Sequence, residues 1–125
     1  MPLPDELVRS RNISLTTFRK TGAPVPTPVG FLVDDGKLFV LTPRDSGKVK
    51  RIRATASVTV APCDNAGRVP VGASTAEGTA RLLDAAGTAR VRGLMVRRFP
   101  IAWPIFAWNR LTGRGDRLVG IEVAL

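Results

Sequence analysis

The sequence predicts a small, mainly β barrel of about six antiparallel strands with two or three short helices. Runs of alternating apolar and polar residues, which are typical of half-buried strands, recur along the 125-residue chain. Tight-turn sequences such as Asp34-Asp35-Gly36 and Asp64-Asn65-Ala66-Gly67 separate these runs, and such turns join antiparallel neighbours. Because the length suits one domain and no repeat or linker divides the chain, residues 1–125 are predicted to form a single domain.

The first half of the chain is predicted to contain one short helix and three extended segments. Residues 4–8 place Asp and Glu where the helix dipole favours them, which predicts a helix there. Alternation at residues 12–19 predicts a strand, and residues 25–33 form a second extended run. Prolines at positions 24, 26 and 28 exclude a helix and favour a sheet edge. The Asp-Asp-Gly turn then leads to a partner strand at residues 37–42.

The second half of the chain begins with a change to helical spacing. Val49 and Ile52 lie three residues apart among basic side chains, which predicts a short helix over residues 46–54. Asp45 or Ser46 would cap this helix. The other predicted elements are strands at residues 57–61, 74–83 and 118–125, and a helix that Asp84 caps and that ends near residue 99.

The composition excludes several classes of enzyme. The chain has no histidine and one cysteine, Cys63, so Ser-His-Asp triads, Cys-His dyads and most zinc sites cannot form. We interpret Cys63 as a buried packing residue, and we predict no catalytic side chain and no metal site. No run of about 20 apolar residues predicts a membrane span. The first ten residues lack the apolar core of a signal peptide, so we expect a cytoplasmic protein.

The chain is strongly basic, with 19 Lys and Arg against 10 Asp and Glu and a net charge of +9. Such an excess attracts anions, so nucleic acid, an anionic membrane surface and a phosphorylated cofactor are all candidates. A compositional bias without functional meaning is an equally good interpretation of the total. Most of the basic residues are arginines, and one guanidinium can donate two parallel hydrogen bonds to a phosphate or carboxylate. The composition therefore favours recognition of these groups.

The most informative basic stretch is residues 46–51, which follow a predicted strand ending at Thr42. A helix that begins there presents unbonded backbone N–H groups, and Ser46, Lys48 and Arg51 add side-chain donors. These groups together predict a phosphate site. The glycine-rich run of a Walker A loop is missing, and a solvated basic helix face would give the same pattern, so both interpretations stay open.

Two further segments are candidate binding elements. Residues 27–30 combine proline with glycine, which leaves backbone groups open so that a flat ring can lie against the strand. A plain edge strand is the alternative. The aromatic residues Trp103, Phe106 and Trp108 either line a substrate pocket, contact a membrane surface, or pack at the barrel end and at a dimer interface. We favour the packing roles and regard peripheral membrane contact as an open possibility.

Laid end to end, these segments resemble the split β-barrel flavin- and deazaflavin-binding superfamily. It includes pyridoxamine-phosphate-oxidase-like proteins and the actinobacterial coenzyme F420-dependent reductases. The resemblance rests on residues 13–31, 34–42, 45–64 and 77–84, in the expected order and spacing. The run SGKVKRIR at residues 46–53, followed by SVTVAPCD, is similar to the deazaflavin-using branch.

The resemblance implies a cofactor site and an activity. Coenzyme F420, or FMN as the alternative, would bind there, and hydride would pass between the deazaflavin and an unsaturated small molecule. The residues implied for the ring are Thr27, Pro28, Val29, Gly30, Leu41 and Thr42, and those implied for the phosphate are Ser46, Gly47, Lys48, Lys50 and Arg51. The resemblance also implies a homodimer with cofactor at the subunit interface, where residues 63–68 reach the partner's cofactor.

The chain departs from the family pattern in two places. Gly30 stands where relatives often carry a bulky aromatic residue, which widens the pocket or loosens the hold on the ring. Residues 99–117 match no family pattern, so the substrate is not predicted. Two alternatives to an enzyme remain, a carrier of F420 without catalysis and a basic nucleic-acid-binding barrel, although nucleic acid is not the expected partner.

Overall fold

Seven antiparallel strands and three helices make up the part of the chain that the computed structural model describes, which is residues 5–10, 12–64, 66–98 and 118–125. The strands are β1 (Asn12–Phe18), β2 (Pro24–Gly30), β3 (Leu32–Asp34), β4 (Lys37–Pro43), β5 (Ser57–Cys63), β6 (Ala76–Leu82) and β7 (Leu118–Ala124). The helices are α1 (Asp5–Arg9), α2 (Gly47–Ala54) and α3 (Ala85–Arg98). Within these residues, no helix is both long and apolar enough to cross a bilayer.

All seven strands belong to one curled sheet, in the order β2-β1-β5-β6-β7-β4-β3. The two edge strands, β2 and β3, are consecutive in the chain and are separated by Phe31 alone. The sheet therefore has to curl until its opposite edges meet at this residue, whose side chain is fully buried. The predicted mainly β, small split-barrel fold with short helices is confirmed.

The structure contains one strand more than the predicted six, because the extended run over residues 25–33 is divided. The chain leaves one edge of the sheet at Gly30 and enters the other at Leu32, with Phe31 turned into the core between them. The predicted hairpin turn is confirmed, since Asp35 and Gly36 have φ angles of 52° and 72°, the left-handed values of a type I′ turn. The aromatic residues at 103, 106 and 108 lie outside the described residues.

The predicted helix caps have different outcomes. Asp84 caps α3, because its Oδ1 accepts a hydrogen bond from the Gly87 N–H at 2.8 Å. Ser46 occupies the cap position of α2 with extended backbone, but its side chain makes no capping hydrogen bond. The Ser46 hydroxyl instead lies within hydrogen-bond distance of the Thr42 hydroxyl.

Two layers of apolar side chains hold the barrel together. The barrel interior contains Ile13, Leu15, Phe31, Leu38, Val40, Ile52, Val58, Val60, Ile121 and Val123, together with neighbouring side chains. Outside the barrel, Leu32 and Phe39 pack against Val91 and Met95 of α3. Gly120 permits this close approach, because a Cβ there would lie 2.9 Å from the Leu83 side chain.

An ion-pair network on the outer surface links three strands. Glu122 of β7 lies 2.6 Å from Arg81 Nη2 on β6 and 3.3 Å from Lys37 Nζ on β4. Burial of the Glu122 carboxyl opposes its ionisation, but the hydrogen bonds from Arg81 and Lys37 outweigh this effect. The pKa of Glu122 therefore lies below its ordinary value of 4.5.

We expect Glu122→Gln to lower the free energy of unfolding at neutral pH by about 1 kcal/mol. Because the folded-state pKa is depressed, the carboxylate stabilises the fold above its unfolded value of about 4.5, and this contribution disappears as the pH falls through the lower folded value. Urea unfolding at neutral pH and at pH 3 checks both points. The exposed Glu77→Gln is the matched control, and an equal loss in both variants would contradict the role of the network.

Candidate functional site

The start of α2 lies directly after the end of β4 and carries several hydrogen-bond donors. The buried Thr42 of β4 places its Oγ1 3.4 Å from the Ser46 Oγ at the helix cap. The first backbone N–H groups of any α-helix lack intrahelical acceptors, and no acidic residue lies in the first turn of α2. No side chain of the first turn therefore neutralises the positive end of the helix dipole, which favours an anion there.

Arg51 is held over this first turn by contacts at both sides of its guanidinium. Residues four apart share a helix face, and a Cβ added to Gly47 would lie only 2.6 Å from Arg51 Nη1. On the other side, Arg51 Nε donates a hydrogen bond to the Oγ1 of Thr17 at 2.6 Å. Thr17 is fully buried in β1, so the guanidinium is anchored to the barrel wall.

Lys48 carries a partly buried charge beside Arg51. Burial lowers the pKa of Lys48 from its ordinary value of 10.5, and repulsion from Arg51 lowers it further. An anion placed here would relieve both effects. The ion pairs found within the described part of the chain all involve other cations, namely Lys37, Arg68, Arg81 and Arg90.

The segment predicted to hold a ring forms β2 at the sheet edge. Thr27 and Val29 face the barrel, where Thr27 Oγ1 donates to the Leu15 carbonyl at 3.4 Å and Val29 packs on the core. Pro28 and Gly30 alternate with them and are exposed on the outer side. The backbone here is therefore open on the outer side, as a binding surface for a flat ring requires.

The turn after β5 lies beside this exposed part of β2. Gly67 has a φ of 85°, and a Cβ there would lie 3.3 Å from the Pro28 ring. The turn is fixed by Asp64, whose carboxylate accepts hydrogen bonds from the N–H groups of Ala66 and Arg68 and from Arg68 Nε. The Arg68 backbone hydrogen bond is the main reason that the pKa of Asp64 lies below its ordinary value.

The structure gathers most, but not all, of the predicted site residues. Thr42, Ser46, Gly47, Lys48 and Arg51 lie together at the start of α2. Strand β2 contacts β4, although the two strands are not hydrogen-bonded neighbours. The curl of the barrel therefore brings the segment predicted to hold a ring close to β4, the strand that carries Thr42. Leu41 differs from this group, because its side chain packs outside the barrel with the cluster under α3. Strand alternation places it on the face opposite Thr42.

Sequence reasoning missed a second part of the basic surface. A groove of about 360 Å³, here called the basic groove, is lined by Phe18, Arg19, Lys20, Gly47, Lys50, Arg51 and Ala54. Arg19 and Lys20 directly follow β1, and this pair of adjacent basic residues was the signal in the sequence that could have indicated the groove. Nothing local indicates that the end of β1 lies beside a helix thirty residues further along.

Cys63 is buried at the end of β5, as predicted. Burial raises the pKa of its thiol, and the neighbouring Asp64 raises it further. Both effects favour the protonated thiol, which is a poor nucleophile. The interpretation of Cys63 as a packing residue agrees with this environment.

We expect Gly47→Ala to weaken phosphate binding without destabilising the fold. The new Cβ would displace the Arg51 guanidinium, whereas alanine is the better helix former by about 0.5–1 kcal/mol. Calorimetric titration with phosphate and a thermal melt measure the two effects. Gly93→Ala in α3 is the matched control, because its added Cβ would meet nothing within 4 Å. Unchanged phosphate affinity in Gly47→Ala would contradict the placement of the anion beside Arg51.

A curled seven-stranded sheet whose two edge strands are joined through Phe31, with short helices packed on it, defines a split-barrel protein. The chain belongs to the pyridoxamine 5'-phosphate oxidase family, whose model matches residues 5–116. This family binds flavins such as FMN and includes oxidoreductases. A search of curated protein sequences found no match.

Solved structures of low sequence identity share the fold. A conserved hypothetical protein of Mycobacterium tuberculosis, Rv2991, is 20% identical with a TM-score of 0.71, over 96% of this chain and 76% of that one. A protein described as an F420 reductase is 18% identical with a TM-score of 0.60, over 97% and 94%. The heme storage protein HutZ of Vibrio cholerae is 15% identical with a TM-score of 0.67, over 92% and 81%. At these identities the likeness concerns the fold alone.

Proposed function

We propose that this protein binds coenzyme F420 and transfers a hydride between the deazaflavin and an unsaturated small molecule. The observation that carries the proposal is the start of α2, where Lys48 and Arg51 lie beside the Thr42 and Ser46 hydroxyls with no carboxylate paired to them. A phosphate group would supply the missing counter-charge. The resemblance of residues 46–53 to the deazaflavin-using branch supports F420 over other phosphorylated cofactors, and a protein described as an F420 reductase shares the fold.

The donor set fits a phosphorylated cofactor, and the chain's residues divide into two groups of binding roles. Ser46, Gly47, Lys48, Lys50 and Arg51 hold the phosphate end, while Thr27, Pro28, Val29, Gly30 and Thr42 border the ring. When bound, the cofactor supplies the hydride chemistry, and the protein supplies binding, orientation and exclusion of water. The sequence contains no Tyr or His, so the proton that accompanies the hydride would come from solvent, either directly or through a Ser or Thr hydroxyl such as that of Thr16.

We further propose that the functional unit is a cytoplasmic homodimer with cofactor at the subunit interface. The exposed side of β2 at Pro28 and Gly30, together with the neighbouring turn at Gly67, supports this because it is an open surface that one subunit alone leaves uncovered. Analytical ultracentrifugation of the full chain tests the dimer, and a monomer at micromolar concentration would contradict it.

The first experiment is a titration of the purified protein with coenzyme F420, followed by the fluorescence of the cofactor, with FMN as the competitor. Tight F420 binding that FMN does not reverse is the expected result. Tight FMN binding with weak F420 binding would overturn the choice of cofactor. Turnover of F420 with a panel of unsaturated compounds then separates an enzyme from a carrier.

The second candidate is an FMN-binding protein of the same family, which the family match favours. It would share the barrel and the phosphate contacts, and it would be recognised by a yellow cofactor retained through purification. If neither cofactor binds, the +9 charge makes nucleic acid the next ligand to test. The affinity of the protein for nucleic acid would fall steeply as the salt concentration rises.

A further inference from the structure

The exposed large apolar side chains in the described part of the chain lie around α1. All of them are valines, and we call them the valine face: Val8, Val33, Val69 and Val71. Val8 belongs to α1 and lines one groove together with Val33. Val69 lines another groove together with Ser10, the residue that follows α1. Single exposed valines are ordinary on a protein surface, but a cluster of them indicates a contact surface.

Val71 lies at the tip of a fixed turn. The turn of residues 70–73 is closed by a hydrogen bond of 3.1 Å from its last N–H to its first carbonyl, and Gly72 has the positive φ, 79°, of a type II turn. The side chain of Val71 is completely exposed. Just after the turn, the Ser74 N–H donates to the Glu6 carboxylate of α1 at 3.1 Å. An apolar side chain held in this way can enter an apolar layer at little cost in conformational entropy.

Arginines border the valine face. Arg9 lies in α1, and Arg97 of α3 lines the groove that Val8 and Val33 share. Both arginines are exposed, and neither takes part in the ion pairs found within the described residues. The carboxylates that line the two grooves are paired with other arginines, in the pairs Asp34–Arg90 and Asp64–Arg68. The charge that this border offers to a partner is therefore positive.

We propose that the valine face docks on the anionic surface of a phospholipid bilayer. The valines enter the layer below the headgroups, and Arg9 and Arg97 contact the lipid phosphates. A second copy of this chain fits less well, because it would bring a net charge of +9 and the same arginines against this border. The valine face shares no residue with the start of α2 or with β2, so the inference goes beyond the proposed function and does not depend on it.

Sedimentation of the full chain with vesicles tests the proposal. We expect binding to vesicles that mix phosphatidylcholine with phosphatidylglycerol, and little binding to phosphatidylcholine alone. Val69→Ser/Val71→Ser should weaken binding to the mixed vesicles at least about tenfold, because two apolar side chains no longer leave water. Both side chains are exposed, so the variant should fold. Equal binding of this variant and the wild type would overturn the proposal.

Two charge variants separate the border of the valine face from the total charge. Arg9→Ala/Arg97→Ala should weaken binding to the mixed vesicles by about tenfold. Lys20→Ala/Arg53→Ala removes the same charge from exposed positions that line neither groove, and it should leave most of the binding intact. Equal losses in the two variants would also overturn the proposal, because total charge would then explain the binding.

A fluorophore attached through Val71→Cys shows whether the turn enters the bilayer. Cys63 is buried, so the label reacts with the new thiol. With the mixed vesicles its emission should shift to shorter wavelength, whereas the same label on Thr79→Cys, an exposed position of β6, should not shift. An unshifted emission at position 71 would overturn the proposal. Self-association of the wild type that Val69→Ser/Val71→Ser abolishes would overturn it as well, and would assign the valine face to a second copy.

Discussion

Lys48→Ala is expected to weaken phosphate and cofactor binding by about tenfold or more, because a hydrogen bond to a charged group contributes about 1.5–3 kcal/mol. The ammonium is partly buried and close to Arg51, so the fold holds it at some cost in the absence of an anion. The variant should therefore be as stable as the wild type or slightly more stable. A loss of affinity without a loss of stability is the signature of a binding residue.

Two variants separate this effect from a general loss of charge. Lys48→Arg keeps a positive charge at the site and should retain much of the affinity. Arg53→Ala removes a charge from an exposed position of the same helix and should leave phosphate affinity nearly unchanged. Fluorescence titration with F420 and calorimetric titration with phosphate measure the affinities of both variants. Equal affinity of Lys48→Ala and the wild type would remove the phosphate site from the start of α2.

Phe31→Ala is expected to lower the free energy of unfolding by about 3–5 kcal/mol, which is a large part of the total for a domain of this size. Phe31 is completely buried and is the one residue between the two edge strands of the sheet. Its removal leaves a cavity at the point where the barrel closes. Urea denaturation followed by circular dichroism or tryptophan fluorescence measures the loss.

The control for this prediction lies two residues further along the chain. Val33 lies in β3 and its side chain is 38% exposed, so Val33→Ala should cost only about 0.5 kcal/mol. Phe31→Leu should fall between the two, because it keeps an apolar side chain in the cavity. A loss in Phe31→Ala no larger than that in Val33→Ala would show that closure of the barrel does not depend on this side chain.

Most of the fold was predictable because its signals are local. Alternation identifies β1, β5 and β7, the Asp-Asp-Gly turn predicts β4 as the partner strand of a hairpin, and Asp84 caps α3 as its chemistry suggests. The division of the 25–33 run was not predictable. Residues on both sides of Phe31 are extended, and only the curl of the whole sheet requires the chain to change edges there.

The candidate site was predictable in part for the same reason. The proposed phosphate portion is a contiguous run in the sequence, so residue types alone predicted that the donors Ser46, Lys48 and Arg51 lie at the start of a helix. The anchor of Arg51 was missed because Thr17 lies 34 residues away, and only the packing of α2 on β1 brings the two together. The family resemblance implied both Leu41 and Thr42 for the ring, but adjacent residues of a strand face opposite sides, and the Leu41 side chain packs under α3.

The prolines of β2 also limit how copies of this protein can associate. Proline has no N–H group, so pairing with β1 depends on the residues between the prolines, Val25, Thr27 and Val29. Pro24, Pro26 and Pro28 then direct their donor-less nitrogens away from the sheet. A strand from another molecule finds no row of N–H groups on this side and cannot extend the sheet, which protects the exposed edge from aggregation.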